Sequence, residues 1–378
     1  MGRGHPGVAR SLHGRRLLAT LAAGAVLAAC STPSPAARPA PGSGSPHKIR
    51  ATTATPSPTP TRGRPAPRPV ADVRIAVAGD VHFAGRLGAR LADPATALEP
   101  IAPALSAADI TMVNLETAIT GRGVPQPKEF HFRAPASALT ALRSAGVDVA
   151  TMANNHAVDY GPQGLADSLA AIRSSHFPVI GIGSDAAAAY APYTTTVRGH
   201  RVAILAASQI DDYTLTAWSA TATGPGIASA FSDRLVAAVR QARRHAEIVL
   251  VYVHWGQEGD GCPLPVQRDL ARRLSDAGAA AVVGTHAHLL LGAGWLGRTY
   301  VDYGMGNYVW WRDNAYSNDT GVLTMTFRHG RVVKAALAPA YIDPRGLPVP
   351  VHGAAAAGKV RAWAALRGCT GLAAAPTG

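Results

Sequence analysis

From Ala71 onward the chain alternates short apolar runs with amphipathic stretches, and this alternation restricts its fold more than any other feature. The apolar runs are RIAVAG (74–79), DITMVN (109–114), DVATMA (148–153), FPVIGI (177–182), RVAILAA (201–207), EIVLVYV (247–253) and AAAVVG (279–284). Their length and continuous apolarity suit strands covered on both faces. Between them lie helix candidates: SALTALRSA (137–145), PQGLADSLAAIRSS (162–175), SDRLVAAVRQARRH (232–245) and PVQRDLARRLSDAG (265–278). The last has Leu270 and Leu274 four apart with charges opposite, and Gly278 stops it. Pro162 after Gly161 opens another. VLTMTF and RVVKAAL flank Arg328-His329-Gly330, which reads as a hairpin. The pattern predicts an α/β fold with apolar central strands. One domain is expected over 71–345, then an Ala/Gly-rich tail over 346–378 in which AAAAGKVRAWAAL can add a helix.

Sites in such sheets form beyond the C-terminal ends of strands, and five of these runs end in metal-type side chains. Asp80 and His82 follow the first, and Asn114 and Glu116 the second. Asn154, Asn155 and His156 follow the third, with Asp159 soon after. His254 and Glu258 follow EIVLVYV, and His286 and His288 follow AAAVVG. In extended chain, residues two apart point to one side, so Asp80/His82 and His286/His288 can each aim at one point. Neutral imidazoles and carboxylates suit Zn, Mn or Fe, and a shared carboxylate holds two ions roughly 3.5–4 Å apart in two-metal hydrolysis. A single histidine at a strand end is more often a hydrogen-bonded surface group, and Asp159 and Glu258 also read as caps or turn formers. Five of the chain's 14 histidines fall at these ends, however, which favours a shared metal site.

The N-terminal residues have another character. Arg3, Arg10, Arg15 and Arg16 precede an apolar run from Leu17 to Ala29 of 13 residues. A spanning helix needs roughly 20, so the run reads as a signal-peptide core. It ends in Leu27-Ala28-Ala29-Cys30, similar to the bacterial lipobox, which implies cleavage before Cys30 and lipid on its sulfur. Residues 31–70 contain eleven prolines and no acid, and predict an extended tether. The expected setting is an exported lipoprotein on the outer side of the cell membrane. The formal charge of +13 comes largely from this region: residues 1–70 hold ten Lys/Arg and no Asp/Glu, leaving 26 basic against 23 acidic residues beyond. Nucleic-acid binding is therefore not expected. Apart from Cys30, Cys262 and Cys369 remain, either as a disulfide or as buried free thiols.

The motifs GDVHFAGR (79–86), NLETAIT (114–120), FRAP (132–135), ANNHAVDYG (153–161), GIGSDAAAAYAP (181–192), HWGQE (254–258), GTHAHLL (284–290) and GNY (306–308) occur in one order over roughly 73–310. In that order they resemble the CapA family of bacterial capsule-synthesis proteins, also described as poly-gamma-glutamate biosynthesis proteins. That family is similar to the calcineurin-like metallophosphoesterases, which implies a four-layer α/β/β/α sandwich with two divalent metal ions. The resemblance puts Asp80, His82 and His288 on one ion, Asn155, His254 and His286 on the other, and Glu116 between them. His156, with Asp159 near it, takes the place of the group that stabilises or protonates the leaving group. Two positions depart from the phosphoesterase pattern: the bridge is Glu116 within Asn114-Leu115-Glu116 rather than an Asp, and Asn154 stands where a glycine is usual.

Substrate contacts are expected from Arg86, Asn114, Arg133 and Glu258, with Lys128 nearby. Guanidinium groups bind carboxylates at two points, as an anionic polymer requires, though Arg133 is equally readable as a structural ion-pair partner. Trp255, Trp310 and Trp311 are candidates for a cleft wall, Trp255 equally for the core. Two functions stand open. One is metal-assisted hydrolysis of a phosphoester or amide in an anionic envelope polymer. The other is a non-catalytic accessory that binds the polymer or its synthase.

Overall fold

Side-chain alternation sets the layers in the computed structural model, which describes residues 71–377. The leader, Cys30 and the 31–70 tether lie outside the described residues. In the strand Val73–Val81, Ile75 and Val77 enter one core while Ala76 and Ala78 enter another. A strand apolar on both faces must be covered on both sides, and the molecule does this with two sheets and two helical layers.

The first sheet has eight strands, in the order Pro348–Pro350, Arg331–Ile342, Asp319–Arg328, Val73–Val81, Ile110–Leu115, Val149–Thr151, Val179–Ile180, with Asn307–Val309 also paired to Val73–Val81. The second has six: Ala293–Leu296, Thr299–Asp302, Ala281–His286, Ile248–Trp255, His200–Ser208, Tyr193–Val197. The strands that carry the candidate ligands pair in parallel within each sheet. Ile75, Val77 and Met112 of the first sheet pack on Ile204, Leu250 and Val283 of the second. Helices Ser137–Ser144 and Gly161–Ser175 cover the outer face of the first sheet through Leu139, Leu142 and Leu165. Asp233–His245 and Pro265–Asp276 cover the second through Leu235, Val239, Leu270 and Leu274. This is the expected four-layer α/β/β/α sandwich.

All seven apolar runs contain strand. FPVIGI is split into Val179–Ile180 and Ile182–Gly183 at Gly181, whose φ of +80° breaks the extended chain. The 329–330 hairpin turn has positive φ at both residues, 49° and 72°, as a two-residue turn between twisted strands requires. Residues 346–377, set apart by composition, belong to the same body. Pro348–Pro350 pairs with Arg331–Ile342, Ala373 bridges to Trp295, and Cys369 is disulfide-bonded to Cys262. Among the described residues, no helix is long and apolar enough to cross a membrane.

Candidate metal centre

The ends of the parallel strands of both sheets meet at one place. In the first sheet Asp80 is in register with Asn114 on one side and Asn307 on the other. In the second, His254 lies opposite Thr285, and Trp255 opposite His286. The approach of the 307–309 strand depends on Gly79: a Cβ there would stand 1.9 Å from the Gly306 carbonyl oxygen. His286 and His288 have φ of 98° and 58°, a region that non-glycine residues enter at a cost of about 1–3 kcal/mol. Held there by the surrounding structure, the turn after Ala281–His286 keeps His286 against the ends of the other strands.

Glu116 sits at the middle. It is 0% exposed, and neither carboxylate oxygen has a hydrogen-bond partner. It joins two groups of close ligand atoms, Glu116 with His254 and His286, and Glu116 with Asp80 and His288. In the first, His254 Nε2 is 3.5 Å from Glu116 Oε1, 3.0 Å from His286 Nδ1 and 2.9 Å from Asn155 Oδ1. In the second, Asp80 Oδ2 is 3.4 Å from His288 Nδ1. Two atoms bound to one ion at roughly 2.1 Å stand roughly 3–3.5 Å apart, so both groups have the spacing of a metal site. A buried, unpaired carboxylate shared by two such groups is what a divalent pair would satisfy.

Electrostatics agree with that fit. Burial holds His254 down to about 4 and His286 well below the ordinary histidine value, leaving neutral ring lone pairs. Burial, then the Asp80 charge, pushes Glu116 well above the usual carboxylate range. Burial opposes charge on His288, yet its hydrogen bond to Asp80 and the nearby Glu116 lift it to about 9. A proton is thus drawn in where clustered carboxylates favour a cation.

A second set of residues orients these groups. Asn114 Nδ2 donates to Asp80 Oδ1 at 2.8 Å and lies 3.2 Å from His254 Nδ1, and its Oδ1 accepts from Asn154 Nδ2 at 2.9 Å. Asn307 Oδ1 is 2.8 Å from His288 Nδ1. Asn114, expected to touch substrate, is 0% exposed, with its amide nitrogen against Asp80 and His254. His82 departs from its expected place on the first ion. Its ring is stacked on Phe132 (4.4 Å) and edge-on to Trp310 (4.4 Å). Nδ1 accepts from the Ala84 N–H at 3.0 Å, and Nε2 lies 3.3 Å from the Trp311 nitrogen. Neither close group includes it.

His156 stands beside the centre, with Nε2 3.9 Å from Glu116 Oε1 and Nδ1 2.7 Å from Asp159 Oδ2. Lys128 Nζ lies 2.7 Å from Asp159 Oδ1 and donates to the Asn155 carbonyl at 2.5 Å. Asp159 Oδ2 also accepts from Phe132 N–H at 2.6 Å. Burial raises Asp159 to about 6 against the pull of Lys128, while burial and then Lys128 hold His156 well below its ordinary value. With Nδ1–H donating to Asp159, the imidazole keeps Nε2 toward Glu116. Lys128 is committed to this network.

A cavity of about 290 Å³ opens onto His156 and His288, walled by Phe130, Phe132, Trp310, Trp311 and Tyr316. Glu258 lines it, 3.8 Å from His288 Nε2. Arg86 and Arg133 are exposed and outside its lining; Arg133 lies over the Tyr160 ring at 4.7 Å. Trp255 is fully buried, donating Nε1–H to the Tyr303 carbonyl at 2.9 Å. Asn307, marked in the sequence only by GNY, and Arg312, in a loop without strand or helix pattern, also line the cavity.

The chain is similar in sequence to bacterial capsule and PGA biosynthesis proteins. The chain is 29% identical over 254 residues to the PGA biosynthesis protein CapA of Bacillus subtilis, covering 66% of each chain. It is 30% identical over 231 residues to the capsule biosynthesis protein CapA of Bacillus anthracis, covering 60% of this chain and 55% of that one. The chain thus matches just under two thirds and about half of these relatives' lengths. Among solved structures, a putative 5'-nucleotidase from Staphylococcus aureus is 14% identical with a TM-score of 0.44, covering 78% of this chain and 58% of that chain. Residues 74–310 match the family described as Bacterial capsule synthesis protein PGA_cap, so the chain belongs to that family.

Proposed function

We propose that this chain is a metal-dependent hydrolase that cleaves a phosphoester or amide in an anionic polymer of the cell envelope during capsule biogenesis, tethered to the outer side of the cell membrane through Cys30. The process is taken from the Bacillus relatives, which are named for capsule and PGA biosynthesis. The observation that carries the chemistry is Glu116, a fully buried carboxylate without a hydrogen-bond partner, common to both ligand groups. Asp80 and His288 with Glu116 would hold one divalent ion (Mn, Zn or Fe), and Asn155, His254 and His286 with Glu116 the other. Bound there, the ions would supply an acidified water and neutralise charge on the leaving atom. The chain's own part is placement and proton transfer. Asn114 and Asn307 fix the ligands, and the aromatic walls exclude water from the reacting bond. His156 Nε2, unprotonated with Nδ1–H given to Asp159, would take the proton released by the attacking water and pass it to the leaving oxygen or nitrogen, with Asp159 and Lys128 holding the ring.

One observation favours a second reading, an accessory that binds polymer or synthase without turnover: His82 is held by backbone N–H groups and aromatic rings, leaving fewer protein ligands for the first ion. The test is hydrolysis by the purified full chain, stripped and reloaded with Mn²⁺ or Zn²⁺, on a phosphodiester, a phosphomonoester and a gamma-linked glutamyl peptide. Turnover of one class, lost in Asp80→Ala and His156→Ala, is the expected result. No turnover with both ions bound would select the accessory reading.

A further inference from the structure

The cavity beside the metal centre carries a feature that the hydrolytic chemistry does not use. Arg312 lines its mouth and is the only Lys or Arg among the lining residues. Its guanidinium lies over the Phe130 ring at 4.5 Å and near the Trp311 ring at 5.6 Å. Among the described residues, no carboxylate stands within ion-pair distance of it, in contrast to Arg122, Arg198, Arg273 and Arg328. A guanidinium stacked on aromatic faces keeps its planar edge of N–H donors free while the rings fix its orientation. Of the other cations suggested by the sequence, Lys128 is paired with Asp159, Arg133 lies over the Tyr160 face, and Arg86 is outside the cavity lining. Glu258, on the His288 side of the same cavity, makes that end repel an anion unless cations are present.

From this we propose that Arg312 is the specificity-determining residue of the site, binding an oxyanion that the substrate carries away from the bond at the metal centre. Phe130, Trp311 and Tyr316 cover the apolar stem that joins the two. The inference rests on the cavity being the substrate site of the proposed hydrolase, but it concerns binding and does not need turnover. The volume of about 290 Å³ accommodates one or two units of a polymer, so recognition reads the unit next to the cleaved bond. The oxyanion is a carboxylate of a glutamyl chain or a phosphate of a phosphorylated one; both match the guanidinium edge.

Because Trp310 and Trp311 wall the cavity, quenching of tryptophan fluorescence reports occupancy directly. The experiment titrates the metal-loaded full chain with a gamma-linked glutamyl trimer, with its methyl ester, and with glycerol phosphate. Arg312→Gln and Arg312→Glu are compared with Arg133→Gln, an equal charge change outside the cavity. The expected result is a trimer affinity lowered roughly tenfold or more in Arg312→Gln, further in Arg312→Glu, and unchanged in Arg133→Gln. The preference for acid over ester should collapse in both Arg312 variants. If glycerol phosphate shows that dependence and the trimer does not, the oxyanion is a phosphate. Equal losses for acid and ester, or equal losses in Arg133→Gln, would overturn the proposal. So would wild-type protein that binds neither anion. Absence of hydrolysis with this binding pattern intact would remove the enzymatic reading and leave Arg312 in its role.

Discussion

Replacing Glu116 by Gln should change stability in opposite directions with and without metal. Glu116 is fully buried, both oxygens lack hydrogen-bond partners, and Asp80 reinforces the effect of burial against its charge. Burial thus keeps the Glu116 carboxyl protonated in the folded chain while the unfolded chain ionises it, a cost of about 1.4 kcal/mol for each pH unit by which the solution lies above the unfolded ionisation, up to the folded one. Gln is nearly isosteric and does not ionise, so in chelator at pH 7 the variant should gain about 1–3 kcal/mol, or about 1.5–5 °C in melting temperature for a body of this size. With metal the order should reverse. A ligand that binds only the native state at 1,000 times its Kd adds about 4.1 kcal/mol, more than the whole advantage of the variant, and the wild-type protein should gain this while Glu116→Gln gains little. The assay is thermal unfolding of both proteins in chelator and across a Mn²⁺ or Zn²⁺ titration. A variant less stable than wild type in chelator, or equally stabilised by metal, would refute the argument that the carboxylate is buried for a cation.

Three other outcomes follow from the same geometry. Asn114→Ala should weaken metal binding by about 10–100-fold, as removal of a ligand-orienting partner does; competition with a fluorescent chelator measures it, and unchanged affinity would return Asn114 to a packing role. Cys369→Ser opens a disulfide that links residues 107 apart; the loop-entropy view gives a loss of up to about 4–5 kcal/mol, visible as a lower melting temperature that reductant no longer affects. Asp302 is fully buried, Oδ2 has no partner, and burial raises it well above its ordinary value. As pH rises through about 3.9 the unfolded chain ionises first, so stability is lost toward neutral pH, and Asp302→Asn should be the more stable protein at pH 7 with the advantage vanishing near pH 3. An Asn variant with no such pH-dependent advantage would contradict this.

The layers were legible because the signals are local and repeated. Runs such as EIVLVYV are apolar on both faces, and helices such as 265–278 carry a single apolar stripe, so the sandwich follows from periodicity joined to the family resemblance. The candidate ligands are legible for a related reason: parallel strands deliver their end residues to one edge, and Asp80, Glu116, His254 and His286 each follow a recognisable run. What the sequence hid depends on direction and depth. Asp80 and His82 are two apart in extended chain, yet His82 turns into an aromatic stack with Phe132 and Trp310, residues 50 or more positions away. Asn114 and Glu116 alternate along one strand end, and nothing local says that Asn114 lies behind the ligands. Arg312 lies in a loop without periodicity, and its partners Phe130 and Trp311 meet only in three dimensions. The tail looked separate because Ala and Gly dominate it, but pairing and a disulfide are not compositional signals.

The measurement that tests the central claim most directly is the number of divalent ions bound per chain, by elemental analysis after equilibration and removal of free metal. Wild type, Glu116→Ala, Asp80→Ala and His286→Ala would be compared. Two ions in wild type, one in each of Asp80→Ala and His286→Ala, and fewer than one in Glu116→Ala is the predicted result. Metal-free wild-type protein under replete conditions, or two ions retained in Glu116→Ala, would contradict a two-metal centre built on that carboxylate.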